Sequence, residues 1–269
     1  MGLEKEGSPA AQKKAVAEML RKAEQIYIIF SKCTKMPYVI CDADTYDDEI
    51  FLYLSEDAAK EAAKKLLEDQ EPVQAMKIEK KDFVAFYVSL IPMGVNCVLV
   101  NQDHSGEGQT ATKAGPCVLE GIPIQLDEII RRNEPEEGKV LIENPQLHLT
   151  ALYFMQKVRK LLQIDFTEEL KSLHEEMMVH YQRGRYIIPV KENAGTLMMK
   201  QKNGQIFQPV FTDIQEYRKF ISMHHEENVK TAVLSAERIA EILAPEAAGV
   251  VVNPLGVNLQ LQIKRGKQG

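Results

Sequence analysis

The sequence predicts an α/β (α+β) fold built as two tandem units, each a mixed β-sheet with flanking helices. Three observations predict it. Apolar runs of strand length alternate with segments whose apolar residues recur every three or four positions, the rhythm of strands interleaved with amphipathic helices. A buried-strand pattern stopped by a polar turn, Ala248-Gly249-Val250-Val251-Val252-Asn253-Pro254-Leu255-Gly256, has an earlier counterpart at Met93-Gly94-Val95-Asn96-Cys97-Val98-Leu99-Val100-Asn101. Other elements repeat in one order in both halves, the mark of an internal duplication.

The first unit, residues 1–138, opens with Ser8-Pro9, an N-cap followed by proline at the first helical position, which starts a helix over 9–25. Strands are expected at 27–30, 38–40 and 50–54, with the acidic loop 42–49 before the third. Ser55 caps a helix over 56–69 whose inner face is Ala59, Ala62, Ala63, Leu66 and Leu67. A strand at 73–78, a helix stopped by Pro92 and a strand at 95–101 follow. The stretch 102–115 is polar and glycine-rich, a loop by composition. A short strand near 116–120, a helix near 126–133 and a linker at 134–138 close the unit.

The second unit, residues 139–269, begins with two helices near 145–163 and 167–182, the latter capped by Thr167 and ended by Gly184. The earlier order then returns. Tyr186-Ile187-Ile188 reads as the match of Tyr27-Ile28-Ile29, and 207–213 as the match of 50–56. The strand 229–234 answers 73–78, helix 236–243 answers 80–91, and 249–253 answers the strand ending at Asn101. Asn203-Gly204 reads as a two-residue hairpin turn, since both residues tolerate positive φ. Thr212 and Gln215 have the spacing of a capping box for a helix over 213–223.

Charge and cysteine content narrow the function. A net charge of −6 disfavours general nucleic-acid binding, which needs a basic field. The four cysteines, at 33, 41, 97 and 117, match no zinc spacing and read as reduced thiols of a cytosolic protein. The first residues lack a signal peptide, and no apolar run reaches membrane-spanning length.

Each chemical motif fails on a specific residue. Asp42, Asp44, Asp47, Asp48 and Glu49 form the densest acidic cluster, but an EF-hand starting at Asp42 would need glycine at Asp47 and glutamate at Tyr53. The run therefore reads as a solvated turn, a divalent cation or basic partner being the alternative. Gly106 and Gly108 with Ala111 fit a dinucleotide pattern, yet Gly115-Pro116 breaks the helix that pattern requires. His174-Glu175 has Met178 where a zinc protease has its second histidine, and adjacent His224 and His225 do not share a helix face. Met177 and Met178 with Tyr153, Phe154 and Met155 read as core, with an adaptable partner groove as the alternative. No catalytic, cofactor-binding or metal-ligating residue is nominated, and no cofactor is expected.

The second half resembles the SseB family, the enhanced serine sensitivity proteins, in their N-terminal-type domain. The residues that carry the resemblance run from Lys200 to Asp213, with Tyr217 and Phe220, and from Ala248 to Gly256. It covers 185–263 well and the first half more loosely through the duplication. The resemblance implies a cytoplasmic bacterial α/β protein, and the family's name records serine tolerance rather than a reaction. It brings no catalytic motif, so no functional residue carries over. The expected role is a non-enzymatic regulatory module that binds a protein, with no nucleic acid and no membrane. The alternative is a sensor of an amino acid or metabolite with a pocket between the two units.

Overall fold

The computed structural model describes residues 9–101, 121–130, 140–160, 167–191, 195–224, 229–263 and 265. The fold is α/β, with helices and strands in three sheets, two of them mixed and the β12-β8-β9 sheet antiparallel throughout its described strands. The chain forms two compact units, residues 1–91 with 95–133, and residues 92–94 with 134–269. Cys117, the glycine motif at 106–111, the expected strand at 116–120 and the linker at 134–138 lie outside the described residues.

In the first unit helix α1 (Pro9–Lys22) leads into β1 (Gln25–Ser31), β2 (Met36–Pro37), β3 (Val39–Cys41) and β4 (Asp48–Tyr53). Then come α2 (Glu56–Glu68), β5 (Val73–Glu79), α3 (Phe83–Met93), β6 (Cys97–Asn101), β7 (Ile122–Gln125) and α4 (Leu126–Ile129). One sheet has the order β2-β1-β4-β6-β7, with β5 also on β1 and β3 also on β4. Among the described strands of this sheet only β4 and β6 run parallel, and they are joined by a crossover containing α2, β5 and α3. Helix α2 lays its alanine face on Tyr27, Ile29, Phe51, Tyr53 and Val73, where small side chains let helix and sheet approach closely. Pro92 falls inside α3 instead of ending it, with one helical residue beyond it. A proline so near the C-terminus disturbs only the last turn. The helix expected to 133 is described only as α4, because Ile130 turns to extended backbone.

In the second unit α5 (Pro145–Lys160) and α6 (Glu168–Arg183) precede β8 (Arg185–Lys191), β9 (Gly195–Thr196), β10 (Met199–Lys200) and β11 (Ile206–Val210). After them come α7 (Ile214–His224), β12 (Val229–Ser235), α8 (Ala236–Ile242), β13 (Ala247–Val252) and β14 (Leu259–Gln262). Strands β10-β11-β13-β14 make one sheet and β12-β8-β9 another, linked by an antiparallel bridge between Ile187 and Phe211. The pairing scheme is the one seen in the first unit. Strand β12 lies antiparallel on β8 over seven residues as β5 does on β1, and β11 runs parallel to β13 as β4 does to β6. A last antiparallel strand, β7 or β14, closes each series.

This register corrects the expected matching by one residue. Tyr27 faces Tyr53 across the first sheet, and Ile187 faces Phe211 across the second. The ladders align Gln25 with Arg185, so the counterpart of Tyr27 is Ile187 and that of Ile26 is Tyr186. The repeated letters Tyr-Ile-Ile are therefore one position out of structural phase, which would put every side chain on the wrong face of the sheet. Asn101 and Asn253 do correspond, because Val100 pairs with Leu52 as Val252 pairs with Val210.

Two local expectations change as well. The hairpin between β10 and β11 uses three residues, Lys202-Asn203-Gly204. Gly204 N–H bonds to Gln201 O at 2.9 Å, Gln201 N–H to Gln205 O at 2.8 Å, and Gly204 alone takes positive φ, +88°. That is a turn closed by a left-handed glycine, which a side chain would strain. Helix α7 is capped by Asp213, whose Oδ1 accepts from Gln215 N at 2.9 Å and Glu216 N at 3.0 Å. Thr212 is not the cap, because its hydroxyl is committed to Asp213 Oδ2 at 2.7 Å.

Candidate functional site

In open α/β sheets ligands gather beyond the carboxyl ends of parallel strands. In the second unit those ends are Phe211-Thr212-Asp213 after β11 and Asn253 after β13. Asn253, at φ +46°, accepts from Thr212 N at 3.0 Å and donates to Thr212 Oγ1 at 2.8 Å, locking the two strand ends together. Asn144, just before α5, donates from Nδ2 to Thr212 O at 2.9 Å and to Arg185 O at 2.8 Å. His148 of α5 places Nδ1 3.9 Å from Asp213 Oδ2, with the two side chains 1% and 3% exposed. Neither ring nitrogen has a hydrogen-bond partner. Glu216 gives one carboxylate oxygen to Lys219 at 2.5 Å and keeps the other buried and unpartnered.

An acid, a hydroxyl and an imidazole at this spacing have the ingredients of nucleophile activation. The arrangement does not perform it. Thr212 Oγ1 donates to the carboxylate and not to the imidazole, and Thr212, Asp213, His148 and Asn253 are all buried, so a substrate has no approach. The cluster works as a latch that fixes the start of α7 and the strand ends.

In the first unit the acidic run divides. Asp42 Oδ1 accepts from Asp44 N at 2.9 Å and Thr45 N at 2.7 Å, a self-capped turn that holds the Asp42 carboxyl below the ordinary range, Thr45's amide contributing most. Asp47 is not simply solvated, for its oxygens accept from Asn96 Nδ2 at 2.8 Å and Gln125 Nε2 at 2.9 Å. Glu49 is buried, which corrects the reading of the whole run as a solvated turn. Asp47, Glu49 and Cys97 bring one donor atom each within 4.8 Å of one another. With both Asp47 oxygens occupied and the Cys97 thiol pushed up by burial and then by the Glu49 charge, the group is a hydrogen-bonded junction between the turn and strands β6 and β7.

Burial raises the Glu49 carboxyl above its ordinary 4.5, and Asp42 and Asp47 add to this while the Cys97 thiol opposes it. A carboxyl raised on folding leaves stability intact below 4.5 and erodes it as pH climbs through the raised value. Glu49→Gln is therefore expected to stabilise the chain at neutral pH and not below about pH 4. Urea midpoints of both proteins at pH 4 and pH 7 check this.

The other sequence candidates fall into packing roles. His174 lies against Phe154, with ring centres 6.0 Å apart. His224 bonds through Nδ1 to Phe220 O at 2.9 Å and stacks on that ring, while His225 is outside the described residues. Met177 is core, but Met178 joins Tyr181, Ala236, Ala240 and Ile263 in lining a groove of about 350 Å³ between α6, α8 and the end of β14. Sequence reading offers an adaptable groove at Met177 and Met178 but missed the other walls of this one, which come from three separated segments. It also missed Asn144 and His148, whose only local signal was the Asn-Pro helix start.

One apolar surface stands out among the described residues. Helix α3, FVAFYVSLIPM, carries no charge, yet Val84 is 69% and Val88 38% exposed. Its counterpart α8 presents Glu237, Arg238 and Glu241 instead. No described helix is long and apolar enough to cross a membrane.

No family model matches the chain, and no curated protein matches it. Among solved structures it is similar to Anabaena Tic22 (protein transport) at 8% identity, covering 88% of this chain and 92% of that one, with a TM-score of 0.21. It is also similar to Tic22 from Plasmodium falciparum at 14% identity, covering 87% and 90%, with a TM-score of 0.20. Likeness at such scores carries no argument about what this chain does.

Proposed function

We propose that the chain is a non-enzymatic, SseB-like protein-interaction module of the bacterial cytoplasm, and that the outer face of α3 is what its partner covers. One observation carries the reading. An uncharged helix is ordinarily buried on all sides, and α3 leaves Val84, Ala85 and Val88 in solvent. Exposed apolar surface of this kind marks sites of association. The contrast with α8 sharpens it, because the same position in the second unit is charged in the ordinary way. The SseB assignment rests on residues 200–213 and 248–256.

The test replaces Val84 and Val88 together by lysine in the tagged chain and compares, by mass spectrometry, the proteins it retains with those of the wild type. A stoichiometric partner is expected with the wild type and absent from the variant. Both positions being exposed, stability should shift by no more than about 0.5 kcal/mol per substitution. An identical set of retained proteins, or none with either chain, would count against the reading.

A further inference from the structure

We propose that the groove between α6, α8 and the end of β14 binds a small organic amine, its apolar body on the floor and its ammonium at Glu237. The site lies wholly in the second unit and is independent of the α3 face.

The floor is apolar. Met178 and Tyr181 of α6 form one wall, Ile263 closes the end, and α8 gives the floor Ala236 and Ala240. These alanines stand one helical turn apart on one face, so α8 recedes where larger side chains would close the gap. The resulting 350 Å³ falls at the small end of the roughly 300–1,000 Å³ usual for metabolite and cofactor pockets. Met178 has an unbranched, polarisable side chain that can fit an aliphatic or an aromatic body.

The rim sets the head group. Gln182 and Gln262 supply amides that can donate or accept, and Glu237 supplies the one charge among the described lining residues. The neighbouring Arg238 is paired with Glu241, and Glu237 makes no ion pair or hydrogen bond with any described residue. A free carboxylate at the edge of an apolar hollow repels anions and favours a cation whose remaining surface is apolar. Tyr181 adds a second sign that this region is not fully satisfied, since its hydroxyl is buried without a partner.

The full-length chain is titrated with phenethylamine, 2-phenylethanol and 3-phenylpropionate, which share one body and differ in head group. Calorimetry and ligand-observed NMR follow binding. Phenethylamine is expected to bind, 2-phenylethanol more weakly, and 3-phenylpropionate not detectably. Glu237→Gln should weaken phenethylamine about threefold, the size of a rim-exposed charge pair, and leave 2-phenylethanol unchanged. Ala240→Phe, which fills the hollow, should abolish both. Carboxylate binding equal to that of the amine overturns the proposal. So does amine binding unaffected by both substitutions, or no amine binding at about 10 mM, a Kd range too weak for a built site. Glu237 is exposed, so its variant remains informative even if Ala240→Phe folds poorly.

Discussion

Gly249→Ala is expected to lower the melting temperature of the second unit by about 10 °C or more, corresponding to a loss of roughly 3 kcal/mol. A Cβ at this position would sit 2.0 Å from Leu261 O, 2.9 Å from Ile263 N and 3.0 Å from Gln262 Cα. All three atoms are backbone of the β14 segment, so no rotamer change relieves the contact. Gly249 pairs with Gln262 while β13 slips register against β11 at Phe207, and the extra residue presses the β13 backbone against its neighbour. The equivalent position in the first unit is Cys97, which sits opposite Gln125 and carries a side chain without difficulty because β4 and β6 pair without that slip. The expected result is a β14 that no longer docks, read as fast amide exchange over Leu259–Gln262 together with the lowered melting temperature. Wild-type melting and protected β14 amides would show that the two strands do not approach this closely.

Strand and helix identities were legible because each unit buries one face of each element, which leaves period-two and period-3.6 patterns in the letters. Register was not. Tyr-Ile-Ile at 27–29 and at 186–188 is an identity of letters, and the ladders place the two triplets one residue apart. Chemistry that acts through the backbone is a better anchor. Ser55 and Asp213 cap equivalent helices, each two residues beyond Tyr53 or Phe211, and from those two positions the parallel ladders lead to Asn101 and Asn253. Strand β14 was overlooked although Leu-Gln-Leu-Gln alternates buried and exposed residues in the ordinary way. A four-residue strand beside a long turn gives little for periodicity to register.

The candidate sites were less legible still. That α3 lacks charge is plain in the sequence, but exposure of Val84 and Val88 is a tertiary fact. Glu49 sits within an acidic run that composition assigns to solvent, and only the pairing of β4 with β6 buries it against Cys97. His148 and Asp213 are 65 positions apart in the chain numbering, so no spacing rule connects them.

Asp213→Ala is expected to cost about 3 kcal/mol, and Ser55→Ala about 1 kcal/mol, although both remove the cap of an equivalent helix. Ser55 is half-buried and accepts one bond, from Ala58 N at 3.3 Å. Its loss is an ordinary cap deletion. Asp213 accepts from Gln215 N, Glu216 N and the Thr212 hydroxyl inside a buried cluster. Removing it leaves three donors without that acceptor, two of them buried, and takes a negative charge from the positive end of α7. The excess over Ser55→Ala measures the latch rather than the cap. Asp213→Asn, which keeps an acceptor oxygen but loses the charge, should fall between wild type and alanine. Urea unfolding of the three variants, with constant m-values, gives the order. Equal losses for Ser55→Ala and Asp213→Ala would mean that Thr212, Asn253 and His148 contribute nothing through Asp213. A larger loss for Asp213→Ala identifies the buried cluster as the element that holds the strand ends of the second unit in place.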